Sequence, residues 1–100
     1  MTAIEIVHLK PKPGAKARLL EIRPQLLAEY RVRYPDVKAL LTEAEDGTLF
    51  DIWTWEAKAL ADEALADTSY FPAFQEWETL VDLISVTWTE TIEPTGSIGA

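Results

Sequence analysis

The chain has 100 residues, 48% apolar and 26% charged, with a net charge of -8, which is the composition of one globular domain and not of a disordered or fibrous segment. The charge is uneven: residues 1 to 50 hold 8 Lys and Arg against 7 Asp and Glu, while in residues 51 to 100 Lys58 alone faces 10 acidic side chains. This argues against nucleic acid as a partner, the absence of cysteine excludes disulfides and thiolate chemistry, and one histidine leaves a zinc site short of nitrogen ligands.

No apolar run is long enough to span a bilayer, and MTAIEIVHLK lacks the layout of a signal peptide, so no membrane partner and a cytoplasmic location are expected. Residues 3 to 9, AIEIVHL, alternate with period two and predict a strand, with Glu5, Val7 and Leu9 on one side and Ile4, Ile6 and His8 on the other. KPKPG ends it. From Ala15 to Arg33 the residues Leu19, Ile22, Leu26 and Tyr30 fall at helical spacing. Pro24 inside that stretch predicts a kink or break near Arg23, and Tyr34-Pro35 predicts the end.

Val37 to Glu45 and Thr48 to Ala57 read as strands joined at Asp46-Gly47, a strong hairpin signal. Lys58 to Ala66 is alanine-rich and helical. Asp67, Thr68 and Ser69 then supply capping residues, and Pro72 suits the first turn of a second short helix carrying Phe71, Phe74, Trp77 and Val81. Leu83 to Ile92 alternates again and predicts the last strand, and residues 94–100 are expected to form a flexible tail to a single domain of residues 1–93. The order β-α-β-β-α-β predicts a ferredoxin-like α+β fold: a four-stranded antiparallel sheet with two helices on one face.

Neither face of the third or last strand is cleanly polar, so the open sheet face is expected to be covered by a second copy in a sheet-to-sheet homodimer. Trp53 and Trp55, each able to bury roughly 200 Å², are assigned to that interface. The aromatic third strand FDIWTWEA, the helical stretch KALADEALADTSYFPAFQEW and the aromatic-Pro-x-Phe segment within it resemble the antibiotic biosynthesis monooxygenase group of the dimeric α/β-barrel superfamily, over roughly residues 3 to 93. The resemblance implies a dimeric barrel with a pocket between helices and sheet. In some members that pocket oxidises fused aromatic substrates with molecular oxygen and neither metal nor bound cofactor. The chain departs from the group's oxygenases in having no asparagine, and from its haem-degrading members in having no histidine between Lys58 and Val81.

The expected function is therefore binding of a small aromatic or polycyclic metabolite, with cofactor-independent monooxygenation as the leading chemistry and no metal. Tyr30, Tyr70, Phe74, Trp77 and Trp88 are the candidate substrate-binding residues. His8 and Asp51, on the two central antiparallel strands, form the candidate catalytic pair, provided that register puts both on one face; Asp51 would then orient the imidazole as a general base. Two alternatives stay open: a barrel that binds a ligand without turnover, and a small isomerase or decarboxylase using His8. Glu5 is read as a solvated strand carboxylate or a weak cross-strand ion pair.

Overall fold

The computed structural model describes residues 2–92; the expected tail at residues 94–100 lies outside them. The elements are β1 (Ala3–Pro11), α1 (Lys16–Arg33), β2 (Lys38–Glu43), β3 (Leu49–Trp55), α2 (Lys58–Ala66), a 3-10 turn (Thr68–Tyr70), α3 (Pro72–Leu80) and β4 (Val81–Glu90). The strands form one sheet in the order β2-β3-β1-β4, with every neighbouring pair antiparallel. This is the expected ferredoxin-like arrangement, with β1 and β3 central. Among the described residues no helix is long and apolar enough to cross a membrane.

Local chemistry explains the elements. Gly47 adopts φ +86° in the β2-β3 hairpin, a left-handed conformation that glycine takes without steric cost. The Asp46 carboxylate accepts a hydrogen bond from the Thr48 backbone N–H at 2.9 Å, which holds the turn closed. Helix α1 runs unbroken through Pro24, so of the expected kink or break the break does not occur. Pro24 and Leu20 are both exposed, so the Leu20 carbonyl that loses its N–H donor lies where water can reach it. Meanwhile Leu19, Ile22, Leu26 and Tyr30 bury the opposite face. The second helical region divides as expected: Asp67 caps the 3-10 turn through the Ser69 N–H, and Pro72 opens α3.

Register decides what lies beneath the helices. The pairings Ala3 with Trp55, Glu5 with Trp53, Val7 with Asp51 and Leu9 with Leu49 put these residues on one face. Along β3, Leu49, Asp51, Trp53 and Trp55 are buried while the residues between them are only partly covered. The helix-facing set is therefore the tryptophan set. The opposite face carries Ile4, Ile6 and His8 opposite Thr54, Ile52 and Phe50. Leu40 on β2, paired with Ile52, extends that aliphatic strip and is exposed.

Candidate functional site

Between the helices and the sheet lies a cavity of about 340 Å³, near the small end of the range for small-molecule sites. Its sheet side is formed by Glu5 and Val7 of β1, Asp51, Trp53 and Trp55 of β3, and Val86 and Trp88 of β4. Tyr30 of α1, Phe74 and Trp77 of α3, and Ala61 and Ala64 of α2 close the other side. The small alanine side chains leave room under α2.

The rings form a connected wall. Tyr30 meets Trp53 edge-on at 4.9 Å between centroids and lies parallel to Phe71 at 4.1 Å. Trp53 and Trp55 are near-parallel at 5.9 Å. Such an enclosure offers both faces and edges to a planar ligand. Burial pushes the Tyr30 phenol well above the ordinary tyrosine range, and the residue is part of the cavity lining.

Three carboxylates line the cavity, in different states; Asp62 of α2 is paired with Lys58 at 3.4 Å. Asp51 is neutralised by Arg23 of α1, whose Nη1 and Nη2 donate to Oδ2 and Oδ1 at 2.7 and 2.6 Å. The side chains are only 10% and 5% exposed. The Arg23 guanidinium lies 5.4 Å from the Trp53 ring centroid and 5.3 Å from that of Trp77, so the pair is embedded between indoles. Glu5 has no such partner: its Oε1 accepts from Trp55 Nε1–H at 3.1 Å. Burial raises its carboxyl above the ordinary glutamate value; the Trp55 hydrogen bond opposes this, the charges of Asp51 and Asp62 add to it, and Lys58 counters it weakly.

Four of the five expected substrate-binding residues, Tyr30, Phe74, Trp77 and Trp88, line the cavity. Tyr70 does not. It is 54% exposed in the 3-10 turn, with the Arg33 guanidinium 3.9 Å from its ring centroid, and Phe71 takes the inward position instead. The proposed His8–Asp51 pair is not formed. Asp51 pairs with Val7 and His8 with Phe50, so one residue of register sends the two side chains to opposite faces. His8 is stacked on Phe50 at 4.2 Å, with Nε2 2.8 Å from Thr48 Oγ1. Trp53 and Trp55, assigned to a dimer face, instead lie under the helices at 6% and 3% exposure. Among the described residues no cluster of three or more His, Asp or Glu has the arrangement of a metal site.

The sequence reading of Glu5 as a solvated carboxylate or weak ion pair misses its burial against Trp55, and it does not join Arg23 to Asp51. A signal for each was present. Glu5 alternates in phase with Val7 and Leu9, and Arg23 falls between Leu19 and Leu26 on the apolar stripe of α1.

Comparison with solved structures defines the class at the level of the fold. SnoaB, a cofactor-independent oxygenase from Streptomyces nogalater, matches with a TM-score of 0.75 at 15% identity, covering 96% of this chain and 98% of its own. A Chloroflexus aurantiacus J-10-fl protein, described as a candidate antibiotic biosynthesis monooxygenase, matches with a TM-score of 0.72 at 16% identity over 96% and 98% of the two chains. Rv0793 from Mycobacterium tuberculosis gives 0.72 at 17% identity over 96% and 100%. No family model matches the sequence, and no curated protein does. The chain thus has the fold of antibiotic biosynthesis monooxygenase-type proteins, as the resemblance implied.

Proposed function

We propose that the chain binds a small, flat aromatic metabolite between its helices and sheet and oxidises it with molecular oxygen as a cofactor-independent monooxygenase. The observation that carries this reading is the cavity's lining, an aromatic wall with one carboxyl, Glu5, that has no cationic partner. The fold likeness to SnoaB supports the same chemistry. A ring CH₂ beside a carbonyl and aryl groups loses a proton to give a delocalised carbanion. That anion reduces dioxygen and combines with it at carbon; protonation gives a hydroperoxide, which loses water to leave C=O. One O₂ is consumed and one H₂O released for each CH₂ converted.

The test is oxygen uptake by chelator-treated protein with anthrone or a naphthohydroquinone, alongside quenching of tryptophan fluorescence to measure binding. Uptake of one O₂ per anthrone is expected. Binding without uptake would instead establish a ligand-binding barrel with no turnover, a reading favoured by the complete absence of asparagine. Neither binding nor uptake would remove both.

The functional unit in this proposal is a homodimer joined through the open sheet face. The support is the strip of Ile4, Ile6, Ile52 and Leu40 on that face, rather than the tryptophans, since a contiguous aliphatic strip on a sheet face is a typical interface feature. Sedimentation equilibrium is expected to return twice the chain mass of 11.2 kDa, and Ile52→Asp to return the monomer. A stable wild-type monomer would overturn the dimer.

A further inference from the structure

We propose that Glu5 is the base that removes the proton from the bound aromatic ligand, with the Trp55 indole N–H holding its carboxylate in place. The inference deepens the monooxygenase reading and rests on it for the ligand class, a fused-ring phenol or its keto tautomer with an acidic CH₂.

Geometry is the first ground. Glu5 sits on central strand β1 with Trp53 opposite it on β3 and Trp88 opposite it on β4. A ligand in the cavity must therefore lie against this carboxyl as well as the rings. Trp55 engages Oε1. Among the described residues no fully buried side-chain oxygen lacks a hydrogen-bond partner, so a Glu5 oxygen without one is accessible, and Glu5 is part of the cavity lining.

Charge is the second ground. Among the described residues the ion pairs that reach this region are Arg23 with Asp51 and Lys58 with Asp62, and neither includes Glu5. The groups around Glu5 are the Asp51 carboxylate from β3, Asp62 and Lys58 from α2, and the Tyr30 phenol from α1. Of these, only Lys58 is a cation, and it is engaged by Asp62 and the Trp88 ring, whose centroid is 5.3 Å from its Nζ. A carboxylate held among aromatic rings with no counter-ion is costly for folding and suited to proton transfer. Its raised pKa brings it closer to the acidity of the proton that it takes.

In the step, the ligand's C–H or O–H proton passes to the Glu5 carboxylate. The electron pair of that bond stays on the ligand as a delocalised anion, and Glu5 becomes a neutral acid. Nothing is oxidised in this step. Dioxygen, the co-reactant of the proposed activity, acts only afterwards, and Glu5 returns its proton to the peroxide oxygen.

Because proton removal comes before oxygen, it can be measured without oxygen. Anthrone in D₂O under nitrogen is expected to exchange its methylene protons for deuterium when the wild-type protein is added, followed by NMR. The catalysed rate should rise with pH as Glu5 ionises and then level off. Glu5→Gln, nearly isosteric and still able to accept from Trp55, is expected to lose the pH-dependent limb and roughly 100-fold or more of the rate. Its affinity for anthrone, read by tryptophan quenching, should stay within about threefold of wild type, the level expected when only a transition-state contact is lost. Exchange that survives Glu5→Gln, or binding of anthrone to wild type without catalysed exchange, would overturn the assignment. Exchange without oxygen uptake would uphold Glu5 and remove the oxygenase reading, whereas oxygen uptake undiminished in Glu5→Gln would do the reverse. Failure of anthrone to bind at all would overturn both.

Discussion

Arg23→Ala is expected to lower stability by about 3–5 kcal/mol, the usual cost of leaving one buried partner of an ion pair alone. For a domain of this size that corresponds to a fall in Tm of roughly 12 °C or more. Asp51 would keep its place among Val7, Trp53 and the helices while losing both charge-assisted hydrogen bonds, at 2.6 and 2.7 Å. Water cannot readily replace them, because the side chain is 5% exposed. Asp51→Ala is expected to cost a similar amount, leaving the guanidinium between two indoles without a counter-ion. Arg23→Lys should recover little, since an ammonium lacks the planar fork and stacking surface. The double substitution Arg23→Met with Asp51→Leu is expected to regain most of the loss, because well-packed apolar replacements of buried pairs are often neutral or stabilising. Urea denaturation of the four variants measures each of these costs. Single-variant costs within about 1 kcal/mol of wild type, the range of exposed pairs, would show that the pair is not buried in solution.

This pair also shows where the sequence was legible and where it was not. Element order, the Asp46-Gly47 hairpin and the division at Asp67 to Pro72 could be read because each depends on neighbours in the chain. Sheet facing could not. In β1 both Ile4 with Ile6 and Val7 with Leu9 are apolar, and in β3 both Phe50 with Ile52 and Trp53 with Trp55 are, so alternation fixed two sets without saying which was inside. Asp51 belongs to the tryptophan set, and an aspartate is seldom buried unpaired. Its partner was 28 positions away on a helix. A cation within an apolar helical stripe and an anion within an apolar strand set are each anomalous alone, and pairing them resolves both. Four of the five aromatic residues expected at the site line the cavity: helical spacing turns Tyr30, Phe74 and Trp77 toward the sheet, and strand alternation brings in Trp88 on β4. The cavity's volume was beyond reach, since it depends on Ala61 and Ala64 standing where larger side chains would fill the space.

Phe71→Ala is expected to cost about 3–5 kcal/mol as well, by a different route. Phe71 is 1% exposed, and its ring lies flat against Tyr30 with centroids 4.1 Å apart. It also approaches Tyr34 at 6.4 Å. Removing it leaves a void behind Tyr30, whose other side forms part of the cavity wall. The backbone role of the residue survives the substitution: its carbonyl accepts from Phe74 and Gln75 N–H at 3.0 and 3.1 Å, starting α3. The lost free energy is therefore that of side-chain packing. Phe71→Leu, which keeps most of the volume without the flat stacking surface, should cost less, about 1.5 kcal/mol or under, by analogy with near volume-conserving core replacements. Thermal and urea unfolding give the stabilities. A ligand titration then reads the coupling: with Tyr30 free to tilt into the void, anthrone affinity should weaken in Phe71→Ala and hold in Phe71→Leu. If alanine lowered stability as expected but left affinity unchanged, Tyr30 would be held by Trp53, Trp55 and Phe74 without Phe71, and the Phe71 stack would belong to the fold and not to the site.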